Sequence, residues 1–339
     1  MESRKMNDDG NALDGAGVDP AATAAHVSTA LGFTKFEHAS VGALYMLFCI
    51  VGVTLNLLTA LTFYKDTKLI KGSQPWLHIL LALANVGVVA PSPFPASSSF
   101  SGRWLYGSTM CQIYAFEGMF IGIAAIGAVI ALCIERYIAC QRSGANDTQG
   151  WFYGWSITLV LGNALFWAIM PLLGWSRYSV EHTGTSCSID WKNPDESFVS
   201  YIMTLEVFSF GIPMMSAFFC LISASPRPQP QGGATAAAGS GQEQQGEDTA
   251  CKGCFSEDQL RLLCYVFIGF VLVGWGPFAY LCTLAVFSDA RGISMLAAAI
   301  PPLACKAMVS AYPLAYAVVS PRFRQSFLAL IGGGEKKKE

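Results

Sequence analysis

Charged residues are scarce in this chain. Only 13% of its 339 residues are Asp, Glu, Lys or Arg, whereas 53% are hydrophobic. An ordinary soluble domain carries about 25% charged residues, so a chain this apolar could not cover its surface with polar groups in water. The scarcity excludes an ordinary soluble globular protein and favours one embedded in membrane lipid. The net charge of −2 argues nothing about partners. We predict no nucleic-acid partner.

An apolar core of the kind found in cleavable signal peptides is also missing from the first 38 residues, which are rich in Ala, Gly and Asp. We predict a disordered extracellular tail over residues 1–38, a bundle over 39–331 and a basic cytoplasmic tail over 332–339. The low-complexity tract Gln229–Asp248 predicts that the third cytoplasmic loop, about residues 225–256, is a flexible linker.

What the chain has in abundance is long apolar stretches. Seven of them are long enough to cross a hydrocarbon core about 30 Å thick, which takes roughly 20 helical residues. The predicted fold class is all-α, a bundle of seven transmembrane helices followed by a short amphipathic cytoplasmic helix beginning near Ser320. The predicted spans are Ser40–Tyr64, Pro75–Ser98, Thr109–Cys140, Trp151–Leu173, Phe198–Ala224, Leu260–Phe287 and Met295–Val319.

The basic residues predict the orientation of the bundle. With the N-terminus outside, 13 basic residues fall in cytoplasmic segments and 7 in outside segments, and the remaining one is Lys306. This bias agrees with the positive-inside rule. We therefore expect a multi-pass membrane protein with an extracellular or lumenal N-terminus and a cytoplasmic C-terminus.

Lys306 interrupts a stretch that is otherwise free of charge. About eleven residues of the predicted seventh span precede it and thirteen follow, so it lies too far from either end to reach the interface easily. A lysine at the centre of a membrane helix costs roughly 2.5–3.5 kcal/mol on insertion scales, which makes it a functional candidate. Lysine amines also form Schiff bases with carbonyl compounds.

The cysteines point to one disulfide and to no metal site. Most of the eleven cysteines lie in apolar spans, where a free thiol behaves as a small hydrophobe. Cys111 and Cys187 face the oxidising side, and a bridge between them would tie the loop before the fifth span over the bundle mouth. Cys251 and Cys254 form a lone C-x-x-C pair, which cannot complete a four-ligand zinc site.

Several short motifs stand at fixed intervals from Lys306. Tyr312-Pro313-Leu314-Ala315-Tyr316 places its proline 7 residues after the lysine, and Gly274-Trp275-Gly276-Pro277-Phe278 places its tryptophan 31 residues before it. The third span ends in Glu135-Arg136-Tyr137. In this combination, over roughly 40–330, the chain resembles the animal opsins, the retinal-binding branch of the rhodopsin-like G protein-coupled receptors. The segment from Leu165 to Tyr201 is most similar to the peropsin and retinal G protein-coupled receptor (RGR) opsins.

The resemblance implies that 11-cis or all-trans retinal is held as a Schiff base on Lys306. A buried cation requires a carboxylate nearby or loses its proton, since desolvation favours the neutral form. The resemblance marks the position of Glu181 as the counterion in opsins that lack an acid near the outer end of the third span. That second position is Tyr114 here. Trp275 and Phe278 occupy the family's positions beside the polyene, where aromatic faces suit a flat ligand.

Three other acids leave alternatives open. Glu117 lies one helical turn beyond Tyr114 and is either an unusual counterion or a protonated, hydrogen-bonded acid. Glu206, by resemblance, lies near the far end of retinal and is more consistent with a neutral acid or a spectral-tuning dipole. Asp190 is interpreted as a structural loop acid hydrogen-bonded to backbone.

The resemblance also implies a G protein switch at Glu135, Arg136, Tyr137 and Tyr316, with an ion pair inside the first three and a heterotrimeric G protein as partner. Other switch positions depart from the receptor pattern, because Asn85 replaces the usual acid of the second span and Tyr312 replaces the usual asparagine. These departures weaken the case for efficient coupling.

Three hypotheses therefore remain. The first is a light-sensitive opsin that isomerises retinal on Lys306 and signals. The second is a retinal photoisomerase, converting the all-trans to the 11-cis isomer with little signalling, the activity associated with peropsin and RGR opsins. The third is a receptor for a diffusible ligand, in which Lys306 only pairs with an acid.

Overall fold

A computed structural model describes residues 33–70, 75–141, 150–224, 255–288 and 292–332. The tail over residues 1–32, most of the third cytoplasmic loop with Cys251 and Cys254, and residues 333–339 lie outside this description. The predictions made for those segments stay predictions. The first helix begins at Lys35, a few residues before the predicted start of the bundle at residue 39.

Seven helical segments have the length and apolar composition of membrane spans, which confirms the predicted all-α fold class. They run over Lys35–Lys65, Trp76–Phe100, Gly107–Gln141, Gly150–Leu173, Glu196–Ser223, Glu257–Phe287 and Met295–Val319. Large apolar side chains such as Leu159, Phe219 and Val318 lie exposed on the outer surface, whereas Asn56, Asn85 and Lys306 are buried. This distribution is the reverse of that in a soluble protein and fits a bundle surrounded by lipid.

Local sequence signals fix several helix starts. Thr34 and Glu37 form a capping box at the first span, and Ser256 and Gln259 form one at the sixth. Ser294 caps the seventh span by accepting a hydrogen bond from the Ala297 N–H. In each case a side chain satisfies a backbone group that the first helical turn leaves without a partner.

Two spans are interrupted where the sequence cannot continue a regular α-helix. The second span consists of Trp76–Val89 and Pro93–Phe100, because Pro91 and Pro93 have no N–H for the helical ladder. The fifth consists of Glu196–Leu205, a π-helical turn over Glu206–Gly211, and Ile212–Ser223. Such π-turns are frequent at functional sites.

A small hairpin closes one mouth of the bundle. Strand β1, Tyr178–Val180, pairs antiparallel with β2, Cys187–Ile189. A disulfide joins Cys187 to Cys111 at the outer end of the third span, as predicted. The hairpin is thereby held over the bundle, because the disulfide keeps β2 against the third span.

The short amphipathic helix that the sequence predicts follows the seventh span. It runs over Pro321–Ile331, is capped by Ser320 and buries Phe323 and Phe327. Its Arg322 pairs with Asp66 after the first span at 3.0 Å. This ion pair ties the helix to the bundle.

Candidate functional site

Lys306 lies inside the bundle with only 7% of its surface exposed. Its Nζ donates a hydrogen bond to the main-chain oxygen of Val88 at 3.0 Å and lies 5.7 Å from the centre of the Tyr45 ring. Among the residues that the structure describes, no carboxylate forms an ion pair with this amine. The nearest partners of the Lys306 amine are therefore neutral groups.

A cavity beside Lys306 brings together all of the predicted binding residues. The second, third, sixth and seventh spans and the hairpin supply its walls. Its lining includes Tyr114, Glu117, Glu181, Trp275, Phe278 and Lys306. Its surface is mostly apolar, with a basic group and two acids as the charged members. Such a cavity suits an elongated apolar ligand that carries one reactive polar end.

Glu181 directly follows β1 and is held under the hairpin. It is buried, and its Oε2 has no hydrogen-bond partner among the described residues. Burial raises the pKa of the Glu181 carboxyl, whereas the Ser188 hydroxyl and the charge on Lys306 act in the opposite direction. An unsatisfied acid oxygen in a cavity with one amine is costly unless a cation approaches it.

A second cavity adjoins the first and extends towards the fifth span. Met119, Ile123, Trp275 and Phe278 line both cavities, so the two share a wall. Glu206 lies at the second cavity and accepts a hydrogen bond from the Thr283 hydroxyl at 2.9 Å. This arrangement places Glu206 away from the cavity that contains Lys306, and the roles suggested for it stay predictions.

The interpretation of Asp190 as an acid bonded to backbone was wrong about its partner. Its Oδ2 accepts a hydrogen bond from Arg177 Nε at 2.8 Å, and Asn193 Nδ2 also donates to the carboxylate. The hydrogen bond from Arg177 to Asp190 raises the pKa of that guanidinium. Sequence reasoning missed this pair because the two residues lie 13 positions apart across the hairpin.

At the end of the bundle opposite the hairpin, Arg136 forms ion pairs with two acids. Arg136 pairs with Glu135 at 2.9 Å and with Glu257 of the sixth span at 3.1 Å, and Tyr153 donates a hydrogen bond to Glu135. The pair between Arg136 and Glu257 joins the third span to the sixth. Tyr137, the remaining member of the motif, is half-buried.

Sequence reasoning predicted Arg136 and Glu135 but missed Glu257. An acid directly after a capping serine is common at any helix start, where it complements the helix dipole. The signal at Glu257 was therefore ambiguous without the fold.

Tyr316 is buried and shares a hydrogen bond of 2.7 Å with Nδ1 of His78 in the second span. Asn85 lies nearby and donates to Asn56 Oδ1 at 3.3 Å. Tyr312 packs against the rings of Phe267 and Phe270 at centroid distances of 4.7 and 5.1 Å. Asn85 and Tyr312, which replace the usual receptor residues, thus form an amide hydrogen bond and aromatic contacts, respectively.

The fold and the family model agree on the class of protein. Residues 55–316 match the model of the seven-transmembrane receptor (rhodopsin family). The chain therefore belongs to the rhodopsin family of seven-transmembrane receptors. The crystal structure of squid rhodopsin superimposes with a TM-score of 0.74 at 23% identity, covering 87% of this chain and 85% of that one, and supports the fold.

Similarity to individual proteins shows which group of the rhodopsin family this chain belongs to. The chain is 31% identical to retinochrome of Todarodes pacificus over 90% of this chain and 96% of that protein. It is 29% identical to the visual pigment-like receptor peropsin of Homo sapiens, covering 88% and 86%. It is 31% identical to the RPE-retinal G protein-coupled receptor of Bos taurus, covering 85% and 89%. Within the rhodopsin family the chain belongs to the opsin group.

Replacing Glu257 with glutamine is expected to loosen the cytoplasmic end of the sixth span. The Glu257 side chain is 58% exposed, and such a pair contributes less than about 1 kcal/mol, so we expect a partial shift in population. Spin labels on the exposed Cys140 and on Leu262→Cys, with other accessible cysteines replaced by serine, should report a longer mean distance.

The matched control is Asp258→Asn. Asp258 follows Glu257 directly, but among the described residues it pairs only with Arg261 of its own helix, so its loss should leave the distance unchanged. Equal distances in Glu257→Gln and the parent protein would show that the pair does not hold the two spans together.

Proposed function

We propose that this chain is a light-sensitive opsin that binds retinal covalently through Lys306 and acts as a G protein-coupled photoreceptor. The observation that carries the proposal is the burial of the Lys306 amine in a cavity flanked by aromatic side chains and one unpartnered acid oxygen. The names of two relatives, retinochrome and RPE-retinal G protein-coupled receptor, refer to the same ligand. Embedding in the membrane follows from the seven spans.

The residues around the amine fit an elongated aldehyde. Bound retinal supplies the conjugated polyene that absorbs light and changes between cis and trans geometries. Lys306 offers the nucleophilic amine at one end of the first cavity, and Trp275 and Phe278 line both cavities along the way towards the fifth span. The apolar walls exclude water, which protects a covalent bond at Nζ from hydrolysis.

Glu181 is the favoured counterion for the positive charge at the Lys306 nitrogen. Its buried carboxyl and its oxygen without a partner support this role, because a nearby cation would restore its interactions. Glu117 lines the same cavity from the third span and remains the alternative. Tyr114 contributes a hydrogen-bonding group but no negative charge near neutral pH.

Trp275 connects the ligand cavity with the sixth span. Its Nε1 lies only 3.1 Å from where a Cβ on Gly122 would stand, so the glycine leaves room for the indole. A ligand that changes shape beside Trp275 pushes on the helix that carries Glu257 at its cytoplasmic end. The sixth span thereby connects the cavity with Arg136, the partner of Glu257, which supports a signalling output at that end. In this proposal the N-terminus lies outside, and the cytoplasmic face is presented to a heterotrimeric G protein.

The test of the proposal is covalent binding. Reconstitution with retinal in the dark should give a visible or near-ultraviolet band that Lys306→Ala removes, because the other lysines in the described spans, Lys35 and Lys65, stand at the two ends of the first one. Borohydride treatment followed by peptide mass spectrometry should find a reduced adduct at Lys306. Lys306→Arg keeps the positive charge but cannot form the bond, so it serves as the matched control.

Failure to find that adduct with either isomer would overturn the proposal in favour of a diffusible ligand.

Glu181→Gln should move the absorbance towards the ultraviolet near neutral pH. Loss of the carboxylate removes the charge that keeps the Lys306 nitrogen protonated. Each unit of change in the pH at which half of the visible band is lost corresponds to about 1.4 kcal/mol. Spectra recorded across pH compare this variant with Glu117→Gln. A shift in Glu117→Gln with none in Glu181→Gln would assign the counterion to the third span.

A second function, retinal photoisomerisation with little signalling, is supported by the altered switch positions. Asn85 and Tyr312 form amide and ring contacts in place of the usual receptor groups. Both functions need the same Lys306 chemistry, and they differ in what leaves the protein after illumination.

Light-stimulated nucleotide exchange on a G protein should separate the two. We expect illuminated protein to increase exchange above the dark level, with Arg136→Ala as the inactive control. Chromatography of retinal isomers released after illumination is run in parallel. Release of 11-cis-retinal over repeated cycles without exchange would favour the isomerase.

A further inference from the structure

The first partners of the Lys306 amine are neutral. Nζ donates to the Val88 carbonyl at 3.0 Å, and the Tyr45 ring lies 5.7 Å away. No ion pair joins Lys306 to Glu117 or Glu181 in the described part of the chain. A buried ammonium with three N–H donors therefore depends on a backbone dipole and an aromatic face.

Val88 offers its oxygen because of a proline in the next turn. In a regular helix the Val88 oxygen would accept from the Ser92 N–H, and the Val89 oxygen from residue 93. Residue 93 is proline and has no N–H to donate. The Ser92 N–H instead bonds to the Val89 oxygen at 3.1 Å, and the Val88 oxygen is left for Lys306.

The helical ladder is regular just before this point. The Ala90 N–H donates to the Val86 oxygen at 2.8 Å, so the ladder is regular up to Ala90, and the break begins at Pro91, which has no N–H for the Gly87 oxygen. A main-chain carbonyl without a helical partner is costly in a buried site. Lys306 satisfies that oxygen and is in turn fixed in position by it.

Tyr45 approaches from the first span and is almost fully buried, with 2% of its surface exposed. A cation within about 6 Å of a ring centre is attracted to the ring face, and the attraction is stronger when both groups are desolvated. The 5.7 Å separation in a buried site falls in the stronger case. The ring face, rather than the hydroxyl, is what the cation meets.

We propose that the Val88 carbonyl, freed by Pro93, and the Tyr45 ring form a neutral cradle that positions Lys306 and stabilises positive charge on its nitrogen. The inference rests on the proposed function, because the charge that matters is the one on the pigment. Within it, Val88 and Tyr45 are positioning groups for the nitrogen, and Glu181 is the charged partner further away.

Several titratable groups face the same nitrogen and share in its electrostatics. They are Tyr45 and Cys49 of the first span, Tyr114 and Glu117 of the third, Glu181 of the hairpin, and Cys305 beside the lysine. The neutral cradle differs from the acids in one respect. Its two members do not change charge over the range in which carboxylates titrate, so its contribution persists when Glu181 is protonated.

The first test replaces the ring. In the retinal-reconstituted full chain, Tyr45→Leu should lower the pH at which the visible band is lost by about one unit, a tenfold loss of proton affinity, as expected for a buried cation–π contact. Tyr45→Phe keeps the ring and removes the hydroxyl, so its midpoint should stay within about twofold of the parent affinity. Equal shifts in both variants would overturn the role of the ring.

A leucine at a buried site can also prevent assembly of the pigment. If the Tyr45→Leu pigment does not assemble, a trifluorinated phenylalanine is introduced at residue 45 instead. It keeps the shape of the Tyr45→Phe ring and weakens the negative charge on the ring face. We expect its midpoint to lie below that of Tyr45→Phe. Identical midpoints would contradict the proposal.

The second test restores the missing N–H. Pro93→Ala allows residue 93 to donate to the Val89 oxygen and the Ser92 N–H to return to the Val88 oxygen, where it competes with Lys306. A carbonyl oxygen has two lone pairs, so we expect a partial loss of proton affinity, on the order of threefold.

Pro95→Ala is the matched control for that test. The Pro91 oxygen, which a regular helix would pair with residue 95, already accepts from the Phe94 N–H at 3.1 Å, so Lys306 should not respond. A shift of the same size in both proline variants would overturn the role of the Val88 oxygen. A parent chain without an adduct at Lys306 would overturn the proposed function itself, whereas an adduct with unmoved midpoints would overturn only the neutral cradle.

Discussion

Burial of one amine in the middle of a membrane bundle constrains everything around it. Removing an ammonium from water costs several kcal/mol even after the protein relaxes, and the bilayer offers no water in return. The chain meets this cost with a backbone oxygen, an aromatic face and acids at greater distance. Distance from the acids leaves the amine less tightly bound than a direct ion pair would, which keeps it available for reaction.

The interruptions of the helices lie where this constraint acts. The break in the second span frees the Val88 oxygen, and the hairpin brings Glu181 under the bundle mouth while the disulfide holds it there. Lipid cannot satisfy irregular backbone, so such breaks are tolerated only where they face protein or a cavity. Here the break in the second span faces the bundle interior, and the Val88 oxygen that it frees is bonded by Lys306.

The sequence predicted the seven spans and the C-terminal helix, because hydropathy is a local signal, and the family resemblance of short motifs predicted several of the residues that line the cavity at Lys306. It did not predict the Val88 oxygen, since every residue has a carbonyl and only the helix break singles one out. Tyr45 was missed because an aromatic residue in an apolar span reads as ordinary packing. Glu257 and Tyr153 were missed because their partners lie on other helices.

The two ends of the bundle are held with different strengths. At the ligand cavity, Lys306, Tyr45 and Glu181 are buried, and interactions there are little screened by water or salt. At the opposite end of the bundle, Arg136 is buried, but its interspan partner Glu257 is more than half exposed, so that pair is weak. In the proposed photoreceptor, a modest change of shape beside Trp275 would be enough to outweigh it. Signalling would then depend less on breaking the pair than on whether Tyr312 and Asn85, with their ring and amide contacts, permit the seventh span to rearrange.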